Sequence, residues 1–466
     1  MEDLIIISLF LAQALLAALI AIAFVLKCRI INEYYKLEKK YLSTLSKKDL
    51  PLYFSNLALK EEAFRKALRL KPSKILALKR LAIKDIFKAQ KLISFQIKKY
   101  PKDLSFLLLD AKISLLIENR ERFEHIMDSI CLPRFLSQKQ RAEYLYLSAE
   151  NELYQTDMCS ASFHISKALK IYQKKGGIFE TAVCYQTLSR IYRISGVFDV
   201  AFTMLKEAKN IYEKLNISAK IAETEAYFGL IEIGRENLKT AQDYLDSAAK
   251  ICQQNNLNQT LAHIKNWQGL ILFLNNHPKK AAELFDTVLK TSKSFPALSY
   301  AAEMLARIAL KQKKYDKALN YADSAILYAK KQNLAPNIFE NLYLKAEICY
   351  ASKDYLNSRK ILTELIKQKT PPSTIYYPAN AYTLLGLVEL KEKNLDRART
   401  LFKQALDMEH AQNRLKGAAI DYNNLAELSR LTGNSEEAKT YFTQAMEYAQ
   451  QIEDKELIKY FKSKKI

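Results

Sequence analysis

Histidines, cysteines, paired carboxylates and glycine-rich loops are the sequence features that most often carry out chemistry. In this chain the five histidines stand far apart, without the spacing of metal ligands: His125, His164, His263, His277 and His410. Neither an H-E-x-x-H nor a G-x-S-x-G motif occurs, and none of the 9 glycines belongs to a phosphate-binding loop. Carboxylates on helix surfaces pair with Lys or Arg four residues away far more often than they act in catalysis. We therefore expect neither an enzyme nor a bound metal or cofactor.

Six cysteines are scattered along the chain, at Cys28, Cys131, Cys159, Cys184, Cys252 and Cys349. No two of them form the C-x-x-C pair that a zinc site or redox motif would need. In a long chain from a reducing compartment, such cysteines are small apolar core residues. The sequence therefore predicts buried free thiols and no disulfide framework.

The elements that must position all of these side chains are predicted to be long helices. Of the 466 residues, 49% are hydrophobic, whereas only 9 are Gly and 10 are Pro. Frequent β-turns would need more of both residue types, so this economy favours helices over strands.

A pattern of small residues recurs along the chain. The segment AYTLLGLVELKEKNLDRARTLFKQALDMEH at 381–410 is restated at 421–450 as DYNNLAELSRLTGNSEEAKTYFTQAMEYAQ. Aligning such segments gives ten units, spaced 34 to 40 residues apart, each with a first anchor residue: Ala77, Ala111, Ala149, Ser189, Gly229, Gly269, Ala306, Ala346, Gly386 and Ala426. A second anchor follows twelve residues later: Ala89, Phe123, Ala161, Ala201, Ala241, Ala281, Ala318, Ser358, Ala398 and Ala438.

The anchor positions hold small residues for a physical reason. Each unit contains two amphipathic stretches, and small residues at their crossing allow two helix backbones to approach closely. One helix pair cannot bury its apolar stripe alone, so pairs must stack until a continuous core exists. The repeat therefore predicts an all-α stack of helix pairs.

The pattern resembles the tetratricopeptide repeat (TPR) family over roughly residues 75–450. The resemblance is strongest over 145–450, where YQTLSRIY, YFGLIEI, YTLLGLVEL and YNNLAELSR restate the family's first helix. The 40-residue units look like the variant found in kinesin light chains and in bacterial peptide-sensing regulators. The resemblance implies a right-handed α-solenoid of about ten helix pairs. The apolar stretch at the N-terminus, described below, predicts one transmembrane helix before the solenoid. We expect an anchor at 1–26, a basic juxtamembrane segment with a degenerate repeat at 27–74, the solenoid at 75–452 and a capping helix at 453–466.

The resemblance also implies a concave binding surface. In the family's geometry, inward side chains come from the second, fifth, sixth and ninth positions of each unit. Those positions here include the predicted partner-binding residues Gln186, Arg190, Tyr227, Asn266, Trp267, Glu303, Arg307, Tyr343, Glu347, Asn380, Thr383 and Asn423. Amides and Arg among aromatic rings suit an extended peptide, because amides bond its backbone and rings cover its side chains. The alternative is an ordinary polar groove without a fixed ligand.

The N-terminal 26 residues differ from the rest of the chain. Residues 4–26 are apolar except for Ser8 and Gln13, and this length is enough to cross a membrane. Lys and Arg follow the stretch and none precedes it, which favours a single-pass inner-membrane protein with its repeats in the cytoplasm. The alternative is a cleaved signal peptide and export to the periplasm, but signal peptides begin with positive charge and this segment begins with Glu2 and Asp3.

The net charge of +22 is concentrated beside the predicted span. Residues 27–99 contain 20 Lys and Arg against 6 Asp and Glu, a surplus of +14. Anionic lipid headgroups account for this gradient more simply than nucleic acid does. A solvated Lys-rich surface is the alternative. Small residues such as Ala14 and Ala18 would also allow two spans to pack into a homo-oligomer.

These observations lead to one main functional hypothesis and two alternatives. The main hypothesis is a membrane-anchored scaffold or adaptor that binds protein or peptide partners on the concave surface. The first alternative is a regulator that responds to a signalling peptide. The second is a nucleic-acid-binding repeat, which the uneven unit length disfavours because base-reading repeats need a constant unit.

Overall fold

The computed structural model describes residues 86–116, 119–130, 137–155, 157–331, 335–367 and 377–463. The predicted membrane span and the segment 27–74 lie outside these ranges, as do Cys28 and Cys131. Within the described ranges, no helix combines the length and the apolar character needed to cross a membrane.

All regular secondary structure in the described ranges is α-helical. The helices are α1 (Ile86–Lys99), α2 (Leu104–Leu116), α3 (Arg120–Ser129), α4 (Gln138–Tyr154), α5 (Met158–Lys175), α6 (Ile178–Ile194), α7 (Phe198–Lys214), α8 (Ser218–Gly234), α9 (Leu238–Gln254), α10 (Asn258–Leu274), α11 (Pro278–Thr291), α12 (Phe295–Lys311), α13 (Tyr315–Lys331), α14 (Ala335–Ala351), α15 (Tyr355–Lys367), α16 (Tyr377–Lys391), α17 (Leu395–Ala411), α18 (Leu415–Leu431), α19 (Ser435–Gln451) and α20 (Lys455–Ser463).

The helices follow the predicted repeat. From α2 to α19 they form nine pairs, and every first anchor from Ala111 onward lies in the first helix of its pair. Every second anchor from Ala89 onward lies in a second helix. The prediction of an all-helical repeat is therefore confirmed, whereas its right-handed sense stays a prediction.

The two anchors of a pair meet where the helices cross. In the pair α14 and α15, the hydroxyl of Ser358 donates a hydrogen bond to the carbonyl oxygen of Ala346 at 2.9 Å. In the pair α16 and α17, a methyl group on Gly386 would lie 2.6 Å from the ring of Phe402. Small residues are thus required because the partner helix occupies the space of a larger side chain.

Most connections between helices are three-residue turns with one geometry. The middle residue has a positive φ, as at Glu236 (65°), Lys353 (67°) and Gly433 (80°). At the end of α14, the N–H of Asp354 donates to the carbonyl of Cys349 and the N–H of Lys353 to that of Tyr350. This pairing is the Schellman motif, which satisfies the last carbonyl groups of a helix.

The described chain divides into two compact units within α10. The N-terminal unit ends at Ile264 and the C-terminal unit begins at Lys265, with the short segment Leu153–Asp157 grouped with the second. Each unit buries its own apolar clusters. Phe179, Ala208 and Tyr212 belong to one in the N-terminal unit, and Leu362 and Leu385 to one in the C-terminal unit.

Candidate functional site

First helices of successive pairs contact one another directly. Such contacts join α6 to α8 in the N-terminal unit. In the C-terminal unit they join α12 to α14, α14 to α16, and α16 to α18. We call the side chains on this face the first-helix wall: its N-terminal part comes from α4, α6 and α8, and its C-terminal part from α12, α14, α16 and α18.

In the N-terminal wall, each contact between first helices joins a carboxylate to a donor. The guanidinium of Arg190 in α6 forms an ion pair with buried Glu150 in α4. The hydroxyl of Thr187 donates to the other oxygen of Glu150 at 3.1 Å. One helix further on, the amide of Gln186 donates to Glu223 in α8 at 2.8 Å. These bonds connect residues 37 to 40 positions apart, which is one repeat.

Further donors complete the N-terminal wall. The ammonium of Lys220 lies 2.6 Å from the carboxylate of Glu223, and the hydroxyl of Tyr212 donates to Gln186 at 2.9 Å. Burial opposes the charge of Arg190, but the Glu150 carboxylate outweighs it and raises the pKa of the guanidinium above its usual value. Burial also raises the pKa of the Tyr227 phenol. In this part of the wall, the carboxylates of Glu150 and Glu223 each pair with a cation and accept a hydrogen bond.

In the C-terminal wall, two carboxylates share the guanidinium of Arg307. The Nε atom of Arg307 in α12 donates to Glu303 at 2.9 Å, and its Nη2 atom lies 3.6 Å from Glu340 in α14. Burial raises the pKa of Glu303 to about 7, and the carboxylate of Glu340 adds to this shift. Burial also raises the pKa of Glu347, although Arg307 limits the shift.

Asp421 in α18 is a deeply buried carboxyl group of the C-terminal wall. Only 1% of the residue is exposed, and its Oδ1 atom accepts a hydrogen bond from the Thr383 hydroxyl in α16 at 2.8 Å. Its Oδ2 atom has no hydrogen-bond partner. Burial and the nearby carboxylate of Glu409 raise the pKa of Asp421 to about 8. At neutral pH this group is therefore largely protonated.

Buried amides form a third kind of contact in the C-terminal unit. The amide of Asn266 donates to the carbonyl oxygen of Ala297 at 2.9 Å, and that of Asn341 donates to Ser299 at 3.3 Å. The side-chain oxygens of Asn266, Asn341 and Asn423 are buried without a hydrogen-bond partner. An unpaired buried oxygen costs free energy, so these positions gain from any donor that reaches them.

The twelve predicted binding residues fall into two groups by exposure. Asn266, Glu303 and Asn423 are 2%, 5% and 2% exposed, so they offer little contact area to a ligand. The other nine are half-buried: Gln186, Arg190, Tyr227, Trp267, Arg307, Tyr343, Glu347, Asn380 and Thr383. Of the half-buried residues, Gln186 and Arg190 join the N-terminal network, and Arg307 and Thr383 bond to carboxyl groups of the C-terminal wall.

Four carboxyl residues of the wall were missed by the sequence prediction. Glu150, Glu223 and Glu340 occupy the ninth, second and second positions of their units, so applying the four inward positions to every unit would have found them. Asp421 occupies the third position of its unit, which that rule omits.

The prediction that the cysteines are buried is wrong for one of them. Cys184, Cys252 and Cys349 are buried, and burial raises the thiol pKa of Cys184. Cys159 near the start of α5 is instead exposed. Its position lies two residues before the second anchor Ala161, on the outward side of the helix. Among the described residues, no group of His, Cys, Asp and Glu side chains is arranged to hold a metal ion.

Comparisons with known proteins agree with the repeat architecture. Two tetratricopeptide-repeat models match the chain, at residues 303–374 and 377–451, and both matches lie in the C-terminal unit. These matches support the TPR family. No curated protein matches the sequence.

Two solved structures share the fold. The apo form of the quorum sensor NprR from B. thuringiensis is 14% identical, with a TM-score of 0.52, over 74% of this chain and 98% of NprR. A signal-transduction ATPase with numerous domains and a tetratricopeptide repeat sensor, from Pyrococcus horikoshii, is 15% identical with a TM-score of 0.53. That match covers 92% of this chain and 66% of the ATPase. At these identities the likeness concerns the fold alone.

Proposed function

We propose that this protein is a non-catalytic, membrane-anchored scaffold whose first-helix wall binds an extended segment of a partner protein. The observation that carries the proposal is the direct contact between successive first helices, within the stretch that matches TPR models. These contacts bring polar and aromatic side chains from several repeats onto one face. TPR-type repeats generally act through such a face, which supports protein interaction over chemistry.

The side chains of the wall suit a polypeptide ligand. Tyr227 and Tyr343 are half-buried rings that can cover apolar side chains, and Arg190 and Arg307 are each one-third exposed. An extended peptide offers a backbone N–H and a carbonyl at each residue, so it can pair with donors and acceptors spaced along the wall.

The membrane anchor in this proposal rests on the sequence. Residues 4–26 are long and apolar enough to span, and the positive charges that follow them favour a cytoplasmic repeat domain. We expect the full chain to resist extraction from membranes by alkaline carbonate, and deletion of residues 1–26 to release it. A cytoplasm-dependent reporter fused after residue 466 should be active; a silent reporter would favour export to the periplasm.

Site-specific photo-crosslinking tests partner binding. A photoreactive phenylalanine analogue at Tyr343 lies on the wall, whereas the same analogue at Leu356 lies on second helix α15, where 72% of the residue is exposed. We expect a discrete crosslinked partner from position 343 and none from position 356. Equal crosslinking from both positions, or from neither, would remove the wall as the binding surface.

A peptide-responsive regulator is the second candidate, favoured by the fold shared with a structure described as a quorum sensor. A regulator must change conformation when its peptide binds, whereas a scaffold need not. A bound peptide that alters the protease cleavage pattern of the described helices would favour the regulator. An unchanged pattern with the crosslink intact would favour the scaffold.

A further inference from the structure

The exposed side of helix α5 carries positive charge and no negative charge. Of the second helices that the structure describes, α1 and α5 alone contain neither Asp nor Glu. One exposed stripe of α5, at intervals of three or four residues, holds Phe163, Lys167, Lys170 and Lys174. We call these four residues, together with the exposed Lys175, the lysine face.

The lysines of this face are not neutralised by the protein. The Nζ atom of Lys167 lies 3.7 Å from the centre of the Phe163 ring. In the part of the chain that the structure describes, none of the four lysines forms an ion pair or a side-chain hydrogen bond. The carboxylate of Glu152 in α4 is already bonded to His164 of α5, at 2.7 Å. The four charges are therefore available to an external anion.

A cavity lies at the C-terminal end of the lysine face. Its volume is about 310 Å³, and it is lined by Gln138 at the start of α4 and by Lys170, Ile171, Lys174 and Lys175 of α5. Three ammonium groups beside one amide suit an anionic oxygen group such as a phosphate, because each N–H can donate to an oxygen and the charges are opposite. The cavity therefore offers a place for a phosphate group.

Exposed apolar side chains stand among these charges. Phe163 is 55% exposed on α5. On α1, the other second helix without acidic residues, Phe95 is 63% and Leu92 is 43% exposed. A soluble anion offers no contact for such side chains, whereas the interface of a lipid bilayer accepts both apolar side chains and lysines. The mixture therefore favours a lipid surface over an acidic protein or a nucleic acid.

Contacts within the N-terminal unit fix which side of α1 is exposed. Arg122 of α3 donates to the hydroxyl of Ser94 in α1 at 2.6 Å. The same guanidinium bonds to both oxygens of Asp110 in α2, at 2.6 and 3.2 Å. Ile93 is fully buried in α1. The exposure of Phe95 thus follows from the packing of the opposite side of its helix.

We propose that the lysine face of α5 binds an anionic lipid bilayer, with Phe163 in the headgroup interface and lipid phosphates beside the lysines. The inference goes beyond the proposed function, because it assigns a second surface and does not require the span at 4–26. The surplus of +14 over residues 27–99 acts in the same direction. Because α5 is a second helix, this contact leaves the first-helix wall for the partner protein.

An environment-sensitive fluorescent amino acid in place of Phe163 tests the inference in the full chain. The chain is reconstituted with vesicles of phosphatidylcholine alone, or of three parts phosphatidylcholine to one part phosphatidylglycerol. We expect a blue-shifted emission in the anionic vesicles and a water-like emission in the others. High salt should remove the shift, because screening weakens the attraction. The control is the same amino acid at Leu356, which is 72% exposed on second helix α15, and it should report water in both vesicles.

Neutralised lysines locate the charge that binds. The test variant is Lys167→Gln with Lys170→Gln and Lys174→Gln. Each cation near an anionic leaflet strengthens binding about fivefold, so this variant should weaken docking about 100-fold and leave the label in water. The control removes the same charge from exposed positions of second helix α11 and should keep the blue shift: Lys279→Gln, Lys280→Gln and Lys290→Gln. Circular dichroism checks each fold. If the test variant does not fold, the comparison of the two vesicles with the native lysines still decides.

The outcomes separate this inference from the proposed function. A label that reports water in anionic vesicles, or an equal shift in both vesicles, would overturn the lysine face. Loss of the shift on adding inorganic phosphate, at an ionic strength where sodium chloride has no effect, would also overturn it, because the site would then hold a free anion. Displacement of the vesicles by an oligonucleotide at physiological salt would do the same.

The tests of the anchor and of the scaffold give independent answers. If alkaline carbonate extracts the chain but the label keeps its blue shift, the anchor is overturned and the lysine face stands. Failure of the Tyr343 crosslink would overturn the scaffold and leave the lipid contact intact.

Discussion

The two units build their first-helix walls from helix pairs of the same kind, but the polar side chains on the two walls are paired differently. In the N-terminal unit, Glu150 pairs with Arg190, and Glu223 with Lys220 and Gln186. In the C-terminal unit, Glu303 and Glu340 approach the same guanidinium, and Asp421 keeps one carboxyl oxygen without a partner.

This difference separates two uses of polar residues in a repeat. Carboxylates that are paired with cations of the protein join neighbouring repeats and need no partner from a ligand. An incomplete network costs stability, because a buried polar atom loses its water without gaining a partner. Such a cost is recovered when a ligand supplies the missing partner. Under the proposed function, we expect the N-terminal wall to contribute mainly to stability and the C-terminal wall mainly to binding.

The largest expected effect comes from breaking the ion pair between Arg190 and Glu150. Arg190→Met leaves the buried Glu150 carboxylate without its counter-ion, while hydroxyl donors such as that of Thr187 remain. Because the arginine is one-third exposed, we expect a loss of about 2–4 kcal/mol, toward the lower end of the cost of breaking a buried ion pair. Hydrogen exchange of the α4 and α6 amides measures this loss locally. Adding Glu150→Gln should recover part of it; no recovery would mean that packing, and not charge, holds these helices together.

The next effect concerns the pH dependence of the C-terminal unit. The pKa of Asp421 is raised from an ordinary 3.8 to about 8 in the folded chain. Between these values the folded state holds a proton that the unfolded chain releases, so the contribution is full below pH 3.8 and is lost as pH rises through 8. Asn does not titrate and can still accept the Thr383 bond. At pH 8.5 we expect Asp421→Asn to raise the free energy of opening by about 1–3 kcal/mol, with little change at pH 4.

Hydrogen exchange of α16 and α18 at the two pH values gives the test for Asp421. Glu436→Asn, at an exposed position in α19, is the control and should show no comparable pH dependence. An equal effect of Asp421→Asn at both pH values would show that the pKa of its carboxyl is not raised in the folded chain.

The sequence predicted the helix pairs well because small residues recur at a regular spacing wherever two helices pack closely. Every described first anchor is in a first helix, since a larger side chain at a position such as Gly386 would overlap the ring of Phe402. The predicted order of the helix pairs follows from the same spacing of small residues. The span at 4–26 and the segment 27–74 remain predictions, because they lie outside the described residues.

The contacts of the predicted binding residues were harder to predict, because polar side chains are not constrained by their own repeat alone. Gln186 is held by Glu223 in the next repeat, and Arg190 by Glu150 in the previous one. The sequence of one unit alone does not show whether a neighbouring unit supplies the bonding partner of a polar side chain. The burial of Asp421 at a third position likewise depends on Thr383 from the preceding pair. Pairing positions across successive units would have predicted more of these contacts.

A smaller effect is expected from removing the shared cation of the C-terminal wall. Arg307→Met takes the guanidinium away from Glu303 and Glu340. The pKa of Glu303 is already raised to about 7, so this group can take up a proton in place of its lost partner. We expect a loss of about 1–2 kcal/mol at pH 8.5 and a smaller loss at pH 6, measured by exchange in α12 and α14. Arg430→Met at an exposed site is the control, and a loss that grows as pH falls would contradict the assignment.

The smallest effect tests whether the two units differ only in their walls. The turns of both units hold a non-glycine residue at positive φ, as at Glu236 in the N-terminal unit and Lys353 in the C-terminal unit. A side chain is strained in that conformation and glycine is not, so Glu236→Gly and Lys353→Gly should each stabilise the preceding helix end by about 0.5–1 kcal/mol. Gly196→Ala, at a turn with φ of 76°, should destabilise by a similar amount. Hydrogen exchange at the ends of α8, α14 and α6 reports the three changes separately. Equal stabilisation by Glu236→Gly and Lys353→Gly would mean that the helix pairs of the two units are equivalent and that the units differ in their walls. Stabilisation in one unit and none in the other would place part of the difference in the helix pairs themselves.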